Sequence, residues 1–150
     1  MKTKGPWSQV QIDEYFQTSQ IPIRLGCNGG NGTPLLVSLW FTLLNGRLWC
    51  ASQENSRIVQ KLRRDSRCAF EVSNENFPYK GVRGTGKANI IPELGKEFLE
   101  RLIKRYLGAS NPALSTFLLS RSQHEVAIEI EPNTLMSWDF QNRMVSLKDK

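Results

Sequence analysis

No run of eighteen apolar residues occurs in the chain, and its start, MKTKGPWSQVQIDEYF, has no apolar signal core before a small-residue cleavage site. Neither a membrane-spanning helix nor a secretory leader is expected, and the sequence points to the cytoplasm. Histidine is nearly missing, with His124 the single example and no carboxylate near it that could orient it across a strand. Cys27, Cys50 and Cys68 are odd in number and far apart, without the short spacings of a zinc or iron–sulfur site. Each lies in or beside a strand-like run, so buried thiols are expected and no redox pair or metal centre is implied. Neither GxGxxG nor GxxxxGK[ST] is present; three glycines crowd Cys27 to Gly32, but a strand-like run follows them, so they read as a hairpin tip.

What is present describes a folded domain. The chain of 150 residues is long enough for one core and gives no reason for two, so 1–150 is read as one domain with an N-terminal helical segment over 1–20. Hydrophobic residues at 39% against 23% charged, with four Trp and seven Phe, exclude wholesale disorder. A formal net charge of +6 favours an anionic partner without choosing among nucleic acid, an acidic surface and a phosphorylated cofactor. The densest basic cluster, Lys61 to Arg67, is short, interrupted by Asp65 and not interleaved with aromatics. It reads as a solvated helix face rather than a nucleic-acid footprint.

The chain is organised around Pro34 to Leu62. Two apolar runs, Pro34 to Leu44 and Arg47 to Ala51, flank Asn45-Gly46, a strong hairpin signal. Ser52 is the expected N-cap of the next helix, where Ile58, Val59 and Leu62 share an apolar side while Arg57, Lys61 and Arg64 share a polar arc. The free N–H groups at that helix start, with Ser56 and Arg57, suit a phosphate. Elsewhere, Ser8 caps a short helix to Thr18, with Trp7 placed to staple against Ile12. Gln20 to Leu25, Arg67 to Val72, Lys80 to Ile91, Glu125 to Glu131 and Leu135 to Val145 read as strands. Pro92 opens a helix through Leu107, and Asn111 to Ser120 a shorter one with Leu114, Phe117 and Leu118 inward.

In that order the elements describe a mainly β, α+β chain that resembles the pyridoxamine 5'-phosphate oxidase-like family of FMN-binding split barrels, from about Ile21 to Phe140. The stretches that carry the resemblance are ASQENSRIVQKLRRDSRCAFEV, GVRGTGKANI, ERLIKRYLG and IEIEPNTLMSWDF. It implies a six- or seven-stranded antiparallel split β-barrel with flanking helices. It also implies a homodimer holding FMN in a groove between subunits, and an oxidoreductase acting on a small molecule. By position, Arg24 would approach the cofactor from the first barrel strand, and Val37, Ser38, Leu39 and Trp40 would line it from the second. Cys50, Ala51 and Ser52 would follow from the third, Ser56 and Arg57 would hold the phosphate, and Lys80 and Gly81 would match an arginine–glutamine pair of the true pyridoxamine phosphate oxidases. Two positions depart from the family: Ile58 stands where a lysine is common, with Lys61 one turn on, and Gly81 removes a side chain toward the ring. Similar proteins also use the deazaflavin F420 or bind haem, and the alternative is a non-catalytic binding protein on the same dimer.

Overall fold

The computed structural model describes residues 1–145. In chain order they form β1 (Lys2–Lys4), α1 (Gln9–Thr18), β2 (Ile23–Asn28), β3 (Pro34–Leu39), β4 (Thr42–Leu44), β5 (Arg47–Gln53) and α2 (Arg57–Arg64). There follow β6 (Arg67–Ser73), β7 (Lys80–Ile91), α3 (Gly95–Tyr106), α4 (Pro112–Ser120), β8 (Glu125–Asp139) and α5 (Gln141–Val145).

The strands make one sheet in the order β3-β2-β6-β7-β8-β5-β4, antiparallel throughout, with β1 added in parallel beside β8. Consecutive β3 and β4 stand at opposite ends of that order. Laid flat, the seven strands of the path would set their outer members roughly 29 Å apart at the usual spacing. Three Cα steps from Leu39 to Thr42 reach at most about 11 Å. The sheet is therefore rolled, yet β3 and β4 share no strand pairing, so the barrel keeps a slit. This is the expected split barrel, with eight strands rather than six or seven. Three differences make up the count: the exposed KTK of β1 carries no pattern, β4 reads as one run with β3, and the two strands expected near the C-terminus are one, β8. At the break Phe41 is fully buried and Trp40 stacks on Tyr106 at 5.1 Å.

Other boundaries follow from local chemistry. Ser8 caps α1 in a capping box with Gln11, and the ring of Trp7 lies tilted against Tyr15, 5.0 Å away. Asn45 and Gly46 both have positive φ, +54° and +73°, as a tight two-residue hairpin requires. One strand replaces the two expected near the C-terminus: β8 runs through Pro132, where the pairing skips Asn133 between Thr85 and Gly86, and a bulge tolerates a proline that has no N–H to donate. After Asp139 the chain turns into α5, not a continuing strand. On α4 the expected inward set holds in part: Leu114 and Leu118 are half-buried, but Phe117 is 55% exposed.

The main core lies inside the roll, where Ile12 and Phe16 of α1 meet Leu25, Phe41, Leu48, Val72, Ile128 and Ile130. A second, smaller layer lies under α3, where Trp49 stacks on Phe98 at 4.1 Å over Ala127. The start of α3 sits hard on β8: a Cβ at Gly95 would lie 1.9 Å from the Glu125 carbonyl oxygen, so only glycine fits. All three cysteines are buried and free, as expected, although Cys27 and Cys68 stand directly opposite each other on β2 and β6. Burial pushes the Cys68 thiol up to about 11 and raises Cys50 further still. Ellman's reagent at pH 8 is therefore expected to leave Cys50 unlabelled in the folded protein and to titrate all three thiols in urea; rapid labelling of Cys50 under native conditions would contradict this placement.

Candidate functional site

Helix α2 buries Ile58, Val59 and Leu62, which turns Arg57 and Lys61 away from the core. Its N-cap is Ser56, not Ser52: the Ser56 Oγ accepts from the Val59 N–H at 3.5 Å, while Ser52, still on β5, donates its hydroxyl to Ser56 Oγ at 2.9 Å. Opposite this start stands the tip of the β2–β3 hairpin. The Gly29 N–H donates to the Thr33 carbonyl and the Thr33 N–H to the Gly30 carbonyl, each at 3.0 Å, confirming a turn. A Cβ at Gly30 would come within 3.5 Å of Lys61 Nζ, so tip and helix face each other across a narrow gap. Beside that gap lies a cavity of about 320 Å³ lined by Gly29, Gly30, Asn31, Thr33, Pro34, Leu35 and Arg57. Among the described residues no carboxylate forms an ion pair with Arg57 or Lys61.

The cavity opens onto a trough along the outer face of the sheet. It shares Thr33 and Pro34 with a second cavity of about 700 Å³, which passes Asn28, Asp65 and Cys68. The second shares Gly26, Ala69 and Thr85 with a third of about 720 Å³ that reaches β1. Strand register explains this face: Ser38, Arg24, Glu71, Arg83 and Met136 align in one row across five strands, and period-two alternation points them all outward. In the middle, Arg67 grips Asp65 through Nε and Nη2 at 3.0 and 2.7 Å and holds its carboxyl well below the usual carboxylate range.

The residues singled out from sequence separate into three places. Ser52, Ser56, Arg57 and Lys61 come together at the start of α2, and Ala51 adjoins them on β5. Arg24 and Ser38 lie on the trough face, Arg24 with Glu75 3.9 Å away. Val37 and Leu39 instead turn inward against the core, Cys50 is fully enclosed, and Trp40 is committed to its stack on Tyr106. Lys80 and Gly81 begin β7 opposite Asp139 and Trp138; a Cβ at Gly81 would lie 2.6 Å from the Trp138 ring, so its missing side chain is a packing requirement. Sequence reasoning missed the closeness of the glycine tip to α2, and Arg83, Lys2 and Lys4 at the far end. It also left His124 without a carboxylate, which the fold supplies as Glu54, 3.3 Å from Nδ1. Among the described residues no cluster suits a metal ion, and no helix is long and apolar enough to cross a membrane.

A rolled antiparallel sheet with an open slit is the fold of the pyridoxamine 5'-phosphate oxidase-like split barrels. No protein-family model and no curated protein matches the chain, whereas solved structures do. A conserved hypothetical protein from Mycobacterium tuberculosis superposes with a TM-score of 0.76 at 24% identity, over 92% of this chain and 88% of that one. An F420 reductase gives 0.63 at 21% identity, over 81% of this chain and 94% of its own. A Clostridium acetobutylicum protein related to general stress protein 26, of the pyridoxinephosphate oxidase family, gives 0.65 at 16% identity over 88% of each chain. At these identities the likeness establishes the fold.

Proposed function

We propose that the chain binds a flavin or deazaflavin cofactor, FMN first and F420 as the alternative, and works as a homodimeric oxidoreductase on a small organic molecule. The observation that carries this reading is the pairing of Arg57 and Lys61, two cations without an acidic partner among the described residues, across a glycine tip beside the Ser56 cap. A phosphate fits there: Arg57 offers a planar two-pronged donor, Lys61 a point charge, and a helix start favours negative charge. The adjoining trough cavity, about 700 Å³, is of a size that holds a small ring system. When bound, the ring supplies the redox chemistry; the chain anchors the phosphate and orients the ring along the sheet. Likeness to an F420 reductase is what keeps the deazaflavin in view.

The dimer contact in this reading is the outer face of edge strand β3, where Leu36 is 69% exposed. A second copy laid there covers the β3 rim of the trough, Leu36 included, and leaves the β1 rim with Lys2, Lys4 and Arg83 open. Sedimentation at micromolar concentration is expected to give a dimer for the wild type and a monomer for Leu36→Asp, because an aspartate would bring a charge into an apolar contact. For the cofactor, the purified chain is titrated with FMN and with F420 while absorption and fluorescence are followed. Saturable binding of one of them is expected; a colourless protein that takes up neither would overturn the proposal.

A further inference from the structure

We infer that the far end of the trough is a separate subsite for a small amphipathic organic anion, a flat apolar body carrying one carboxylate. It names the substrate class of the proposed oxidoreductase and rests on that reading for the role of substrate; the binding itself does not.

Lys2, Lys4, Arg24 and Arg83 come from β1, β2 and β7 and line one cavity of about 720 Å³. Against these four cations stands one carboxylate on the floor, Glu71, between Arg24 and Arg83 in the register and taken by the Ser73 hydroxyl at 2.9 Å. The Arg83 guanidinium lies against Met136 Sδ at 3.0 Å and over the Trp138 ring at 5.8 Å, and forms no ion pair among the described residues. Arg24 reaches only Glu75, whose side chain is 85% exposed, so that pair is weak.

The cations border an apolar wall. Met136 is 37% exposed there, an arrangement that water alone leaves unfavourable, while Leu36 at the β3 rim belongs to the proposed dimer contact. A ligand that is only charged would leave the wall wet, and one that is only apolar would leave the cations unmatched. An apolar acid satisfies both.

The two lysines are brought there by specific anchoring. Alternation along β1 puts Lys2 and Lys4 on one side, opposite Thr134 and Met136. The strand is tethered by Ser137, itself 3% exposed, whose Oγ accepts from the Trp7 N–H at 3.1 Å. Gly5 lies so close that a Cβ would meet the Ser137 carbonyl oxygen at 2.1 Å. A segment with no buried side chain of its own is thus held against β8, and its lysines edge the cavity.

The test uses 1-anilinonaphthalene-8-sulfonate and its uncharged parent N-phenyl-1-naphthylamine on the full chain, followed by fluorescence. The sulfonate is expected to bind saturably and about tenfold more tightly than the neutral dye. Lys2→Gln with Lys4→Gln, and separately Arg83→Gln, should each weaken the sulfonate several-fold and leave the neutral dye unchanged. In competition, 2-naphthoate should displace the sulfonate dye and 2-naphthamide should not. Equal affinity for the two dyes, insensitivity to these substitutions, or equal displacement by acid and amide would each overturn the subsite. Arg57→Ala separates the two proposals, because it should leave dye affinity unchanged while weakening FMN. Charge-selective dye binding without binding of either FMN or F420 keeps the subsite and removes the cofactor; binding of either without charge selectivity does the reverse.

Discussion

Arg57→Ala is expected to weaken FMN binding about a hundredfold, near the upper end of the range for losing a two-pronged hydrogen-bonded ion pair, roughly 1.5 to 3 kcal/mol. The side chain is exposed and makes no ion pair among the described residues, so removing it takes away a ligand contact and almost nothing else. Thermal midpoint without ligand should therefore stay within about a degree or two of the wild type, as is usual for surface substitutions. Arg57→Lys should recover part of the affinity, because it restores the charge without the fork. Lys61→Ala should cost less, about tenfold, for a single point charge facing the glycine tip. Quenching of FMN fluorescence on titration reads all three. Riboflavin, which lacks the phosphate, gives the control: its affinity should be low and the same for the wild type and Arg57→Ala. An Arg57→Ala protein that takes up FMN like the wild type places the anchor elsewhere.

The second large effect concerns stability. Arg105→Met is expected to lower the unfolding free energy by about 3 kcal/mol, from the usual worth of hydrogen bonds made by a charged group. Near the end of α3, the Arg105 guanidinium donates to the carbonyls of Phe16, at 2.7 Å, Gln17, at 2.8 Å, and Ser19. These are the carbonyls that the C-terminal end of α1 leaves without helical partners, and the positive charge suits that end. The same guanidinium lies over the Phe41 ring at 5.3 Å. Methionine keeps much of the packing volume and loses every donor, so partly buried carbonyls are stranded. For a chain of this size a loss of about 3 kcal/mol corresponds to roughly 10 °C in Tm. Next to it, Tyr106 donates its hydroxyl to the Ile21 carbonyl at 3.2 Å and accepts from the Phe41 N–H at 3.3 Å. One turn of α3 therefore pins α1, the entry to β2 and the β3–β4 crossing together. Urea unfolding decides the matter: a midpoint within error of the wild type would show that water replaces the guanidinium at no cost.

How far the sequence could be read depended on whether the deciding force was local. Asn45-Gly46, the Ser8 cap, the limits of β7 and the buried side of α2 are set within a few residues, and the letters show them. The continuous apolar run LWFTLL hid the break at Trp40 and Phe41, because both residues are apolar on either reading and only the roll of the sheet decides it. By its missing N–H, Pro132 reads as a strand end, yet a bulge lets β8 pass. At the site, Ser56 and Arg57 were legible from helix-start chemistry. Their closeness to Gly30 was not, since a hairpin tip gives no hint of what it leans on. Val37 and Leu39 fall at the ring only by resemblance to the family, and strand alternation, which gives two faces without saying which is inside, does not show that both turn to the core. Arg24 and Arg83 align only once the register of the strands between them is known, and no single-strand pattern encodes that.

The passage through Trp40 and Phe41 carries a topological consequence. The two rims of the slit hold no hydrogen bonds in common, so this dipeptide is the covalent stitch that keeps them in company. Cutting the chain there would sever the stitch while sparing every ladder in the sheet. Two raw borders, β3 and β4, would then be freed to zip onto strands of other molecules, the hazard that any unrolled sheet presents.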